Sequence, residues 1–308
     1  MKKTIRYIFK KGCEFIRSNG CRFNVFNRFG MFDHLSDEEF LKRRFKAQFG
    51  RELNLDNPET FNEKLQWLKL YDRKPEYVAM VDKYAVRDII AKAVGPECVV
   101  PLVGGPWDSA DEINFDTLPD QFVLKCTHDS GGVVICRDKA NFDRDKARKK
   151  LARSLKRDFY LGGREWPYKD VPRKIIAETY LVDESGVELK DYKIFCFNGK
   201  AEYVEVDFNR HIEHKLNPYD FDWNPLNFCD KSKNDYDANI PKPARLEEMR
   251  QIAEKLSANM PFLRVDFYSI YDKIYIGELT LYPGSGYIEF DPPSIDLKYG
   301  KLLKLDRE

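Results

Sequence analysis

Phe262-Leu263-Arg264-Val265-Asp266-Phe267-Tyr268 and Lys273-Ile274-Tyr275-Ile276-Gly277-Glu278-Leu279-Thr280-Leu281 are the two runs on which the reading of this chain turns. Both alternate, and both are rich in β-branched and aromatic residues, so each reads as a strand. The stretch Ser269-Ile270-Tyr271-Asp272-Lys273 between them is short enough for a hairpin loop. Pairing centred on Asp272 sets Asp266 opposite Glu278 and Arg264 opposite Thr280. Side chains two apart share a face, so these four lie together. Leu263, Val265, Phe267, Leu279 and Leu281 make the core side. A one-residue slip would undo the arrangement.

Two carboxylates directly opposed on a sheet repel. A hard cation with oxygen ligands answers that repulsion, and Mg²⁺ accompanying a nucleotide is the commonest case. The other reading is a solvent-facing hairpin whose acids pair with Arg264 or a lysine.

The chain has 308 residues, 43% hydrophobic and 33% charged, which fits a soluble globular protein of one large or two modest domains. A net charge of +1 gives no bulk electrostatic case for nucleic acid. Seven cysteines include no CxxC pair, which argues for reduced thiols in a cytoplasm rather than a disulfide framework or a zinc site. No apolar run approaches membrane-spanning length. Residues 1–30 hold eight Lys/Arg and one acid, Glu14, and Ile5, Ile8, Phe9, Cys13 and Ile16 share a helical face. Such a basic amphipathic helix suits docking on the body of the protein, a partner contact or an anionic membrane surface. Lys10 and Lys11 interrupt the apolar stretch, so a signal peptide is not expected.

Ser36-Asp37-Glu38-Glu39 is a capping box opening a helix through about Gln48, and Asn57 to Glu63 repeats the signature, with Thr60 as cap and Phe61, Leu65 and Leu68 inward. A third helix is expected from Asp82, ending at Gly95-Pro96. Cys98–Val103 reads as a short strand. Phe122–Cys126, the glycine loop Thr127-His128-Asp129-Ser130-Gly131-Gly132 and Val133–Cys136 read as strand, loop, strand. This is not a Walker loop, which runs into a helix and ends in Gly-Lys-Ser/Thr. A glycine hairpin can still fold over phosphates, with Lys125 beside it to neutralise one. The alternative is an ordinary hairpin with a surface lysine. A helix follows over about 143–158, then the aromatic, charged loop Tyr160–Asp170. Lys174–Val182 is a strand. Asp191–Phe197 and Lys200–Val206 form a hairpin across Asn198-Gly199, the pair a type I′ turn demands. Lys193 within it points away from Tyr192 and Ile194, onto a wet face or into a cleft. Residues 207–243 read as a long polar excursion, and Ala244–Asn259 as an amphipathic helix.

Singly these signals are weak, but their order is not. Phe61-Asn62-Glu63-Lys64-Leu65-Gln66-Trp67-Leu68-Lys69, Val81-Asp82-Lys83-Tyr84, Val123-Leu124-Lys125-Cys126-Thr127-His128-Asp129-Ser130-Gly131-Gly132, Ile176-Ala177-Glu178-Thr179-Tyr180-Leu181, Asp191-Tyr192-Lys193-Ile194-Phe195 and Gly277-Glu278-Leu279-Thr280-Leu281-Tyr282-Pro283-Gly284-Ser285-Gly286 stand in sequence. As a set they resemble the TupA-like ATP-grasp proteins, linked to teichuronopeptide and other bacterial surface polysaccharides. The resemblance covers roughly residues 57–300. It implies an α+β ATP-grasp fold, with the nucleotide held between two antiparallel-sheet subdomains. Residues 1–56 would be a helical N-terminal extension and 57–308 the catalytic domain, with a lid-like part over about 98–181 and a metal-binding part over about 182–300.

The resemblance further implies that Lys125 and Lys193 contact ATP phosphates, and that Ser130, Gly131 and Gly132 form the loop above them. Glu178, Thr179, Tyr180 and Leu181 would hold adenine, Asp183 the ribose, and Asp266 and Glu278 Mg²⁺. Arg264 would stabilise the transferring phosphoryl group or the acyl intermediate. The usual pattern has Asn two residues after the metal-binding Glu; here Thr280 stands in its place as a hydroxyl ligand. Arg210, His214, Glu165, Tyr168 and Ser285 are the substrate-side candidates, His214 and Glu165 also the candidates for the base. The activity implied is an ADP-forming ligase joining a carboxylate of a surface polysaccharide or its precursor to an amine or amino acid. It would act in the cytoplasm or peripherally at the inner membrane face. A sugar kinase on the same fold, a glycosyltransferase and a membrane-assembly scaffold are the competing readings.

Overall fold

The computed structural model describes residues 18–209, 213–230 and 234–306, and the two helices expected from capping signatures start at those caps. The helix Asp37–Phe49 begins where the Ser36 hydroxyl accepts the Glu39 amide, and stops at Gly50 in the left-handed region. Phe61–Tyr71 opens with a full capping box between Thr60 and Glu63, and buries Phe61, Leu65 and Leu68. The helix expected from Asp82 is instead two, Glu76–Val81 and Val86–Val94. Between them the Asp82 carboxylate accepts the Tyr84 amide at 2.8 Å, a turn that competes with helix. The amphipathic face expected on residues 5–16 lies outside the described residues.

Four strands, β1 (Leu102–Trp107), β2 (Phe122–Cys126), β3 (Val133–Cys136) and β4 (Ile175–Thr179), form an antiparallel sheet in the order β1-β4-β2-β3. The strand expected over Cys98–Val103 is displaced. Pro96–Cys98 is a 3₁₀ turn, and Pro101, which has no amide to donate, uses its carbonyl to accept the Thr179 amide at 3.0 Å. One face of this sheet packs Phe122, Leu124, Ile175 and Ala177 against Ala147 and Leu151 of the helix Arg144–Leu155.

Five strands make the second sheet, also antiparallel: β5 (Asp191–Phe197), β6 (Lys200–Phe208), β7 (Lys215–Tyr219), β8 (Phe262–Ile270) and β9 (Lys273–Thr280), in the order β7-β6-β5-β8-β9. Asn198 and Gly199 take φ of 49° and 79° in the β5–β6 turn, as a type I′ turn requires. The excursion expected over 207–243 is not wholly irregular, because β7 lies within it and pairs with β6. Ile194, Val204, Val265 and Leu279 enter one core with Met249, Ile252 and Ala253 of the helix Leu246–Ser257. Helices Asn19–Arg28 and Asp37–Phe49 close a smaller core with Tyr287. No helix among the described residues is long and apolar enough to cross a membrane.

The β8–β9 hairpin turns more tightly than its sequence suggests, since Ile270 pairs with Lys273 around Tyr271-Asp272. That offset alone would shift the carboxylates out of register. A bulge between Asp266 and Phe267 absorbs one residue of β9, so that Phe267 faces Ile276 while Asp266 faces Glu278 and Arg264 faces Thr280. Gly277 is the skipped residue. A Cβ there would come within 2.8 Å of the Tyr268 ring. Gly277→Val is therefore expected to destabilise the protein by about 1–3 kcal/mol. Urea melts of this variant and of the Gly277→Val, Tyr268→Ala pair check it: the pair should recover part of the loss.

Candidate functional site

The register places four charged side chains in one row across the second sheet. Glu205 on β6 faces Lys193 on β5, Lys193 faces Asp266 on β8, and Asp266 faces Glu278 on β9. Two residues along lies the row Tyr203, Phe195, Arg264 and Thr280 on the same side. The guanidinium of Arg264 grips Asp266 with two bonds of 2.6 Å and gives a third, at 3.0 Å, to the Thr280 hydroxyl. That hydroxyl in turn donates to Glu278 at 3.1 Å. Burial pushes the Glu278 carboxyl up, but Lys83, Arg264, Thr280 and Lys125 outweigh it and hold the group below its ordinary value. For Asp266 burial prevails over Arg264 and Lys193, and its pKa is raised.

The first sheet faces this row with Lys125 and Glu178, paired at 2.5 Å, and Arg87 lies 3.6 Å from the same carboxylate. Burial opposes the charge on Lys125, yet attraction to Glu178 raises its pKa. Between the sheets is a cleft of about 460 Å³, within the usual range for small-molecule sites. Lys125, Ser130, Glu178, Thr179, Tyr180, Leu181, Lys193, Arg264, Asp266 and Glu278 all line it.

The two loop glycines differ. Gly131 is exposed, and a Cβ there would meet only the Arg157 guanidinium, at an ordinary contact distance of 3.8 Å. Gly132 is buried: its amide is given to the Asp129 carboxylate at 2.8 Å, and a Cβ would strike Ser154 at 2.5 Å. Its N–H serves the loop rather than an incoming anion. Asp183, expected at the ribose, is buried in its own loop, where it accepts from Lys190 at 2.7 Å and the Ser185 amide at 2.9 Å. Glu188 from that loop lines the cleft. Arg210 lies outside the described residues. His214 sits at 3.2 Å from Asp207, bordering a second cavity beyond Lys193. Tyr168 is buried, its ring edge-on to Phe159.

Glu165 and Ser285 meet at a group the sequence reading passed over. Lys69, wholly buried, donates to the carbonyls of Gly163 at 2.9 Å and Ser285 at 2.8 Å, to the Ser285 hydroxyl at 3.0 Å and to the Gln66 amide oxygen at 3.0 Å. Ser285 is held at φ 55°, a conformation unfavourable for a residue with a Cβ. Burial pulls the Lys69 pKa down, against the attraction of Glu165. Lys83, Arg137, Glu188, Asp191 and Tyr268 also line the cleft without having been singled out. Lys83, Asp191 and Tyr268 stood within the quoted stretches Val81–Tyr84, Asp191–Phe195 and Phe262–Tyr268, whereas Arg137 and Glu188 left no such trace.

The donor set suits a hard divalent ion: one buried and one half-buried carboxylate in register, the latter held ionised, beside a hydroxyl and facing the cleft. Mg²⁺ is typically bound through one or two carboxylates plus substrate phosphates rather than a full protein cage. Accordingly, no group of three or more metal-ligating side chains occurs among the described residues.

Two antiparallel sheets closing on a cleft lined by lysines from both and paired carboxylates from one define an ATP-grasp protein. The TupA-like ATPgrasp family matches residues 63–304, and the chain belongs to it. No curated protein matches the sequence. Among solved structures, the D-alanine–D-alanine ligase of Bacillus anthracis is 17% identical, covering 80% of this chain and 68% of that one, with a TM-score of 0.39. The Helicobacter pylori D-alanine–D-alanine ligase gives 17%, 79% and 69%, with a TM-score of 0.40. The L-amino acid ligase of Bacillus licheniformis gives 12%, 83% and 55%, with a TM-score of 0.42.

Two outcomes follow from the buried charges. Lys69→Met strips the Gly163 carbonyl of its donor, leaves the Ser285 carbonyl only its longer bond from Gln66 at 3.2 Å, and removes the partner of Glu165; it should cost about 3 kcal/mol or more, read from urea melts. Burial, opposed by Lys193, pushes the Glu205 carboxyl from 4.5 to about 8. The folded chain then binds this proton more tightly than the unfolded chain, so this group's contribution to stability falls as pH rises across that window. Melting curves of Glu205→Gln against pH should be flatter there than those of the wild type.

Proposed function

We propose that the chain is an ADP-forming carboxylate–amine ligase, acting on a uronic acid or other carboxylate of a bacterial surface polysaccharide or its precursor. The observation that supports this reading is the convergence of Lys125, Lys193, Arg264, Asp266 and Glu278, from two sheets, on one cleft. Family membership sets the nucleotide as ATP.

In this reading adenine lies against the chain at Tyr180 and Leu181, and the ribose lies beside Glu188 rather than Asp183. The phosphates reach Lys125 and Lys193 under Ser130 and Gly131. Asp266 and Glu278 hold Mg²⁺, with Thr280 keeping Glu278 oriented; the ion, when bound, screens the phosphate charge. The substrate carboxylate displaces ADP from the γ-phosphorus and becomes an acyl phosphate. The amine nitrogen then attacks the acyl carbon, the C–O bond to phosphate breaks, and the nitrogen sheds a proton. Two unit negative charges at about 4 Å repel by roughly 4 kcal/mol at an effective dielectric near 20. Lys125, Lys193 and Arg264 stand where that repulsion would be offset. Positioning and electrostatics carry most of the catalysis in such transfers, and no Ser or Cys nucleophile is needed.

Calorimetric titration with ATP, ADP and UDP-sugars, with and without Mg²⁺, tests the site. The Glu278→Gln variant should bind Mg²⁺–ATP at least about tenfold more weakly, as loss of a charged ligand implies, while Mg²⁺-free binding changes little. ADP release should require a uronic acid and an amine together. Release with a sugar hydroxyl and no amine would make the protein a kinase. Binding of a UDP-sugar and not ATP would overturn the reading.

A further inference from the structure

Beyond Lys193 and Arg264, which line the main cleft too, lies a second cavity of about 110 Å³. Phe195, Tyr203 and Phe228 wall it, and Glu205, Asp207 and Asp230 border it. Phe195 and Tyr203 stack at 4.4 Å, and Phe228 meets Tyr203 edge-on at 5.4 Å, so the walls are fixed. The two cations at the border are committed elsewhere, Lys193 to Asp207 and Arg264 to Asp266. Glu205 is 9% exposed. Its carboxylate makes no hydrogen bond among the described residues, and its ion pair with Lys193 is long, at 3.6 Å. Buried carboxylates ordinarily have hydrogen-bond donors. This one faces a chamber that could admit one.

We infer that this chamber receives the ammonium group of the amine substrate, with Glu205 accepting its N–H groups and the aromatic walls facing its charge and carbon skeleton. An ammonium offers three donors and no acceptor, which matches Glu205 in its ionised form, the form that a cation in the chamber favours. Aromatic faces attract cations, and more strongly when these are desolvated. Size bounds the ligand: a cavity of about 150 Å³ holds benzene, so this one takes a primary amine of a few heavy atoms at the buried end. The border shared with the cleft would set the nitrogen next to the activated carboxylate. The assignment of the bound amine as a substrate rests on the ligase reading; the binding itself does not.

Ethanolamine is the probe, with ethanol and acetate as neutral and anionic controls, titrated calorimetrically into the full chain alongside Mg²⁺–ATP. Ethanolamine is expected to bind where ethanol and acetate do not, and Glu205→Gln should weaken it about tenfold or more, the scale of a lost charged hydrogen bond. Failure of ethanolamine to bind the wild type, equal binding of acetate, or unchanged affinity in a folded Glu205→Gln overturns the inference. Should that variant not fold, the wild-type panel decides, with Phe228→Leu expected to weaken ethanolamine and not to confer acetate binding. Mg²⁺–ATP binding without ethanolamine binding removes this inference and leaves the ligase reading. The reverse result removes the ligase reading and leaves an ammonium site.

Discussion

The structure depends on a line of charge laid across four strands: Glu205, Lys193, Asp266, Glu278. Each is buried or nearly so, and unpaired buried charge is among the costliest things a fold can contain. The line is tolerable because a cation separates Glu205 from Asp266, and because Arg264, one position along the same face, grips Asp266 from the side. Arg264 is thus a structural partner of Asp266 as well as a group lining the cleft. Its planar fork suits the task in a way a lysine would not.

Keeping the line straight is a matter of register. The tight turn at Tyr271-Asp272 and the bulge at Gly277 have opposite effects on pairing, and only together do they bring Asp266 opposite Glu278. The bulge needs a residue without a Cβ because Tyr268 crosses that spot, and Tyr268 and Gly277 both line the cleft. One local irregularity thereby sets both the opposed carboxylate pair and part of the cleft wall, which is how bulges near functional sites commonly act.

What was legible in the sequence is what short-range chemistry controls. Alternation gave β8 and β9, Asn198-Gly199 gave the β5–β6 turn, and Thr60 with Glu63 gave a helix start. Even the carboxylate register was reachable, although through a longer turn with no bulge, two errors that cancel. The strand β7 was not legible: Lys215-Leu216-Asn217-Pro218-Tyr219 contains a proline and lies at the sheet edge, where its pairing is supplied by β6 rather than by its own pattern. Lys69 was hidden for the same reason. It sits in an ordinary helical sequence, and only the carbonyls of Gly163 and Ser285, some hundred and two hundred residues away, make it a buried ammonium. The partners of Asp183, Ser185 and Lys190, close a local loop around it, an arrangement that its spacing in the sequence does not reveal.

Charge balance in the cleft bears on why a metal would accompany the nucleotide. Lys83, Lys125, Arg137, Lys193 and Arg264 line it together with Glu178, Glu188, Asp191, Asp266 and Glu278, five of each sign. Three of the cations are already paired, Lys125 with Glu178, Lys193 with Asp207 and Arg264 with Asp266. A bare polyphosphate entering such a site adds several negative charges with no surplus positive charge to meet them, and it would have to draw lysines away from buried partners. A divalent cation arriving with the phosphates reverses that balance. It would bring positive charge beside Asp266 and Glu278, which Arg264 and Thr280 already hold in place, so that the phosphates need draw no lysine from its buried partner. On this argument the paired cations act as a filter, disfavouring the metal-free nucleotide and favouring the form that brings its own charge.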